Sequence, residues 1–143
     1  MEISRRTDYA IRIIAALIQN EGMPLSVSAA AKLQDVPYSF ARSIQHDLTK
    51  NGIVTTLRGA QGGMVLAVDP DELTLAQLVE TVQGPIQVAA CLAENGWCPR
   101  DNSCAFHKVW ISASKMLNEY LSSISIKEIL EGKSPSLPGY SAN

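Results

Sequence analysis

Cys91, Cys98 and Cys104 are the three cysteines of this 143-residue chain, and His107 follows the last of them by three residues. Thiolates and an imidazole gathered in one short stretch make a donor set for a soft metal ion or an iron–sulfur cluster. Three thiols cannot all pair within one chain, and a reducing compartment disfavours disulfides in any case. If a helix has begun at Cys104, His107 lies on the same face, and the four side chains could close a structural zinc site. The spacings, with six residues between Cys91 and Cys98 and five between Cys98 and Cys104, are longer than those of the common zinc knuckle. Two metal-free alternatives stand beside these: a thiol switch that forms a disulfide, and a His107 that merely packs or donates a hydrogen bond.

The stretch that carries the cysteines, residues 85–103, has little periodicity and is rich in Gly, Pro, Asn and Asp. A loop that long in a small protein is usually functional or disordered. Helical patterns bracket it. Residues 4–20 repeat Tyr9, Ile13, Ala16 and Leu17 at helical spacing, and Gly22 and Pro24 stop them. Ser26 or Ser28 can cap a short helix from Ala29 to Leu33. Asp35-Val36-Pro37 is a turn, and Pro37 suits the first position of a third helix that runs to about Lys50, with Phe40, Ile44 and Leu48 expected on its inner face and Gly52 closing it. Residues 53–58 and 64–68 are β-rich and flank a turn at residues 59–63, so they predict a hairpin. Thr74 can cap a helix from Leu75 to Gln83 that ends at Gly84-Pro85. Beyond the loop, a long helix is predicted from about Ala105 to Ser122, and Ser125 with Glu128 forms a capping box for a last short helix. The expected fold is mainly α with a small β-hairpin wing, a winged helix-turn-helix followed by a long dimerisation helix.

That pattern points to nucleic acid, although the net charge is −2. The charge is uneven: residues 1–66 hold seven Lys/Arg against five Asp/Glu, and residues 67–143 hold five against nine. The basic half is therefore the half to search for a DNA surface. Its third helix turns Tyr38, Ser39, Arg42, Ser43 and His46 outward, and such side chains can bond base edges in a major groove. Arg42 is the candidate for base reading, and Arg58 for a wing contact in the minor groove. Gly62 and Gly63 are expected to let the wing backbone approach the sugar–phosphate wall, and Arg5 and Arg6 to meet phosphates. The same polar residues would also suit a simply solvated helix face.

The run Val54-Thr55-Thr56-Leu57-Arg58-Gly59-Ala60-Gln61-Gly62-Gly63-Met64-Val65-Leu66, together with Thr7-Asp8-Tyr9-Ala10 and Val36-Pro37-Tyr38, resembles the bacterial Rrf-two superfamily of iron–sulfur transcriptional regulators, of the NsrR and IscR types. The likeness spans about residues 1–131. It implies an iron–sulfur cluster on Cys91, Cys98 and Cys104, with four-iron four-sulfur favoured and two-iron two-sulfur able to use the same residues. It also implies a fourth ligand, Asp8, with His107 as the alternative. Asp8, donated across a dimer, matches the NsrR pattern, and His107 matches the IscR pattern. A carboxylate is a hard ligand for a soft cluster, so iron held by Asp8 should be easily displaced; the bland alternative is that Asp8 only favours the helix dipole. Two departures matter: the Cys91–Cys98 interval is one residue longer than usual, and Arg42 stands where IscR proteins carry a glutamate.

These expectations divide the chain into a winged helix-turn-helix DNA-binding region (1–84), a cysteine-containing cluster-binding loop (85–104), a dimerisation helix with a short terminal helix (105–132) and a mobile tail (133–143). The expected function is a cytoplasmic, homodimeric, cluster-dependent DNA-binding regulator, a repressor, sensing nitric oxide, redox state or cluster supply on a pseudo-palindromic double-stranded operator. A zinc-stabilised or thiol-redox winged-helix regulator is the alternative, and an iron–sulfur electron carrier a further one. No phosphate loop, nucleophile triad or carboxylate pair suggests an enzyme, and no apolar run suggests a membrane partner.

Overall fold

The computed structural model describes residues 1–94, 96, 98, 100, 103–137 and 139–141. Asn95, Trp97, Pro99, Asp101 and Asn102 of the cysteine loop, and Pro138, Ala142 and Asn143 of the tail, lie outside them.

Helix α1 (Arg5–Gln19) starts where the Ser4 hydroxyl accepts from the Thr7 N–H at 3.1 Å, satisfying one of the orphan amides of the first turn. It buries Thr7, Ala10, Ile13, Ile14 and Leu17. Ser26, not Ser28, caps α2 (Val27–Leu33) by accepting from the Ala29 N–H at 3.0 Å, so the helix begins two residues earlier than Ala29. Pro37 stands at the N-cap of α3 (Tyr38–Lys50) rather than inside it.

The inner face of α3 is Ala41, Ile44 and Leu48, all fully buried. Phe40, expected on that face from its spacing of four to Ile44, is instead 39% exposed and meets Tyr9 of α1 edge-on at 5.3 Å. The correction has a simple cause. Spacings of three and four both keep residues on one helical face, and the small Ala41 lets α1 and α2 come close where a phenyl ring would not fit.

Gly52, at φ 72°, turns the chain into the hairpin. Strand β1 (Val54–Leu57) pairs antiparallel with β2 (Gly63–Leu66), Val54 opposite Leu66 and Leu57 opposite Gly63. Met64 also exchanges backbone bonds with Leu25, at 3.0 and 2.8 Å, which pins the wing to the entrance of α2. The wing glycines answer to this packing. A Cβ on Gly62 would stand 2.1 Å from the Leu57 carbonyl oxygen, and one on Gly63 would stand 2.6 Å from the Leu25 carbonyl carbon. The requirement for glycine at both positions is therefore intramolecular.

Thr74 and Gln77 form a reciprocal capping box for α4 (Leu75–Gln83), which Gly84 ends at φ 94°. The loop then makes one 3-10 turn, Ala90–Leu92. Helix α5 (His107–Ser122) starts two residues after Ala105, has no side-chain cap, and buries only Ser114. Helix α6 (Ile126–Leu130) is capped by the Ser125–Glu128 box. The segment leading into it bonds back to the start of α4, Leu75 N–H to Ile124 O at 3.2 Å and Ile126 N–H to Leu73 O at 2.9 Å. Packing therefore joins α6 to the first core, where Ile126 is buried, although the partition at 105–132 groups it with α5. In the tail, expected to be mobile, β3 (Ser136–Leu137) pairs with β4 (Tyr140–Ser141).

Two apolar clusters result. The larger unites α1, α2, α3, the wing, Leu78 and Ile126. The smaller is Ala76, Val79 and Ile86, with Leu117 and Leu121 of α5 laid against it. Each fully buried Ile, Leu or Met contributes roughly 1.5–3 kcal/mol, so the first cluster dominates stability. No helix among the described residues is long and apolar enough to cross a membrane.

Candidate DNA-reading face and cysteine loop

The outward face of α3 is assembled as its spacing predicts: Tyr38, Ser39, Arg42, Ser43 and His46 are all exposed. Arg58 is exposed just past β1, and Arg5 is exposed at the start of α1. None of Arg5, Arg42 and Arg58 has an ion pair among the described residues, so their charge is available to an anion. Arg6, expected to meet phosphates alongside Arg5, is committed elsewhere: its guanidinium pairs with Asp47 and clamps α1 to α3.

Residues that the sequence does not flag complete this face. Arg42 Nη1–H donates to Gln45 Oε1 at 2.9 Å, and Gln45 Nε2–H donates to Thr56 Oγ1 on β1 at 3.3 Å. The spacing of three between Arg42 and Gln45 is a signal that could have suggested the first bond. Nothing local announces the second, which spans the helix and the wing.

Behind this face, Gln83 ties the end of α4 to the beginning of α1. Its Oε1 accepts from the Ser4 N–H and the Thr7 hydroxyl, both at 2.9 Å, and its Nε2 donates to the Glu2 carbonyl at 2.7 Å. Thr7 is fully buried there, and its hydroxyl is satisfied by Gln83 and by the Ser4 hydroxyl, also at 2.9 Å. Gln83 is the last residue before the segment that leads to Cys91.

That segment is held at both sides. Val88 N–H donates to Ser114 Oγ of α5 at 3.0 Å, and Gln87 Nε2 donates to the Leu92 carbonyl at 2.8 Å. Gly96 N–H returns to the Ala93 carbonyl at 2.7 Å, and a Cβ on Gly96 would stand 2.4 Å from the Ala90 carbonyl oxygen, so the turn between Cys91 and Cys98 closes only on glycine. Cys91, Cys98 and Cys104 are all free thiols and half-buried. Cys91 and His107 line one open cleft of about 750 Å³ together with Ile86, Leu92 and Ile111.

Asp8 lies on a different cleft, with Glu2, Arg5, Tyr9, Arg12 and Asp35, and its carboxylate pairs with Arg12 at 2.8 Å. Arg12 in turn sits 5.9 Å over the Tyr9 ring. Within a single protomer, then, His107 shares a cleft with Cys91, and Asp8 does not. Among the described residues no three His, Cys, Asp or Glu side chains gather closely enough to hold a metal. By donor chemistry the loop nonetheless suits an iron–sulfur cluster, because three reduced, partly accessible thiols stand in one segment.

The family model described as "Iron-dependent Transcriptional regulator", Rrf2, matches residues 3–132. Among sequence relatives, the HTH-type transcriptional regulator IscR of Photorhabdus laumondii is 27% identical over 135 residues, covering 93% of this chain and 81% of that protein. Among solved structures, CymR, the global cysteine regulator of B. subtilis, superposes with a TM-score of 0.73 at 24% identity, over 94% of this chain and 99% of that one. IscR of T. potens gives a TM-score of 0.72 at 24% identity, over 92% and 88%. The two structures share the winged-helix fold found here, and the relatives are regulators rather than enzymes. With a match across nearly its whole length, the chain belongs to the Rrf2 family of DNA-binding transcriptional regulators.

Proposed function

We propose that the chain is a cytoplasmic, homodimeric, iron–sulfur-dependent repressor that senses nitric oxide, redox state or the supply of iron and clusters. The observation that carries this reading is the set of three free, half-buried thiols in the segment between α4 and α5. The family's description as iron-dependent and the IscR name of a relative support it. Cys91, Cys98 and Cys104 would hold the cluster, and the fourth ligand would be His107 or Asp8 of the partner subunit. Asp8 lines another cleft than Cys91 in its own chain, which supports its coming from the partner subunit. When bound, the cluster supplies iron that reacts with nitric oxide and oxidants.

The chain's own residues supply the rest. The exposed apolar residues of α5, Val109, Trp110, Ile111 and Met116, with Phe106 just before it, suit burial against a second copy. Two copies would present two α3 helices to half-sites about one helical turn apart, hence a pseudo-palindromic operator. Arg42, Tyr38, Ser39 and Ser43 would meet base edges and phosphates, while Arg58, Gly62 and Gly63 would bring the wing to the backbone and Arg5 would neutralise a phosphate. Gln83 joins the two functions, because it links the first turn of α1 to the helix that leads into the cysteine loop.

A second reading, a zinc site or thiol switch on the same cysteines, draws on the same three free thiols, because a thiolate can also ligate zinc or form a disulfide. Anaerobic purification with iron, sulfide and zinc quantified separates the two. The cluster reading expects coloured protein whose visible absorbance bleaches with nitric oxide or oxygen. Colourless protein with stoichiometric zinc, or no iron and sulfide after reconstitution, would overturn it. Retention of the absorbance in Asp8→Ala and in His107→Ala assigns the fourth ligand.

A further inference from the structure

We propose that Gln45 is a specificity-determining positioning residue, which holds the Arg42 guanidinium in one pose on α3 and ties that pose to the wing through Thr56. The proposal rests on the reading that Arg42 meets base edges.

Donor and acceptor logic orients the relay. A guanidinium can only donate, so Gln45 must turn its oxygen toward Arg42, at 2.9 Å. Its amide nitrogen then faces the other way, where the Thr56 hydroxyl accepts at 3.3 Å. Each bond fixes the sense of the next.

The far end of the relay is firm. Thr56 pairs with Met64 across the hairpin, and Met64 is fully buried and bonded to Leu25, one residue before the Ser26 cap of α2. The direction of Arg42 is thereby referred to the core rather than to a loose surface.

The near end is suited to reading. Arg42 is exposed and uses one of its five N–H donors on Gln45, which leaves a free edge for the O6 and N7 acceptors of a guanine. A long free side chain samples many rotamers and loses affinity when it is ordered on binding, a cost that preorganisation reduces. The acceptor is also neutral. An amide oxygen sets direction without cancelling charge, whereas a carboxylate would set direction and weaken attraction to DNA.

This difference supplies the test. The probe is a duplex selected by the unaltered full-length protein from a randomised pool, and binding is measured to it and to its single-base variants, with metal content matched across proteins. Arg42→Ala should flatten base preference at one or two positions of each half-site. Gln45→Leu, which keeps volume and loses both bonds, should flatten the same positions roughly three- to tenfold, the worth of one hydrogen bond. Thr56→Val should do so more weakly. Gln45→Glu can accept from both Arg42 and Thr56, so it should restore the preference while lowering affinity for every sequence alike. In the Arg42→Ala background, Gln45→Leu should add nothing. The proposal is overturned if Gln45→Leu, with an unchanged melting curve, keeps the original preference or weakens all sequences equally. If Arg42→Ala itself leaves the preference intact, the base-reading role of Arg42 is what fails, and the relay falls with it.

Discussion

Helices α3 and α5 are of similar length, 13 and 16 residues, yet the fold treats them in opposite ways. Helix α3 buries Ala41, Ile44 and Leu48 completely, is clamped by Arg6–Asp47, and leaves a polar face to solvent. Helix α5 buries only Ser114 and leaves Val109, Trp110, Ile111 and Met116 exposed, and the exposed Phe106 just before it stacks on Trp110 at 6.4 Å. The first helix is complete within one chain and offers hydrogen-bonding groups outward. The second offers apolar surface, which water does not favour. The candidate DNA-reading half is thus a finished scaffold, whereas α5, beside the cysteine loop, keeps an apolar surface that suits a partner.

The largest expected effect tests the finished half. Leu48→Ala should cost about 2–5 kcal/mol of unfolding free energy, read from denaturant melts, since it opens a hole in the main core. A cost below about 1 kcal/mol would mean that α3 is not the well-packed member of the pair. Trp110→Asp tests the other helix. It should dissociate the proposed dimer with a loss of at least about 2 kcal/mol in association, read by sedimentation, while helix content is kept. A Trp110→Asp protein that remains dimeric would break the contrast.

Arg5→Ala is a smaller perturbation, at the edge of the finished half. It should weaken binding to all duplexes alike and reduce the slope of log affinity against log salt by about one, without altering base preference. A changed preference would move Arg5 into the base-reading set.

The smallest effect concerns α6. The Ser125 backbone N–H holds the Glu128 carboxyl below its ordinary value of 4.5, against the opposing effect of burial, and Lys133 adds to the lowering. A carboxylate with a depressed folded pKa contributes stability above its unfolded pKa, and the contribution is lost as pH falls through the folded value. Melting temperature should therefore drop between about pH 5 and about pH 3 in the unaltered protein more than in Glu128→Ala. Because Ile126 belongs to the main core, the change should appear in unfolding of the DNA-reading half. Equal pH dependence in both proteins would remove this link.

The features legible in the chain were those set by neighbours three or four residues away. The caps at Thr74 and Ser125 and the stops at Gly52 and Gly84 stand where local chemistry requires them, since each depends on a bond or a backbone angle inside one turn. The hairpin follows likewise from two β-rich runs around a glycine turn, and the outward polar face of α3 from its period. The cysteine cluster was visible as a donor set because ligand type and proximity in sequence are themselves the signal.

Other features depend on which surfaces meet. Arg6 turned from a phosphate candidate into a clamp because Asp47 lies beside it in space, 41 residues away. Gly62 and Gly63 serve the close approach of Leu57 and Leu25 rather than only that of a ligand. Phe40 yielded the inner face of α3 to Ala41, and Gln45 and Gln83 became connectors between elements. Hydrogen bonds and steric contacts across tens of residues leave no periodicity in the chain. Their partners are chosen only when the elements pack, and packing is what assigns Asp8 and His107 to separate clefts.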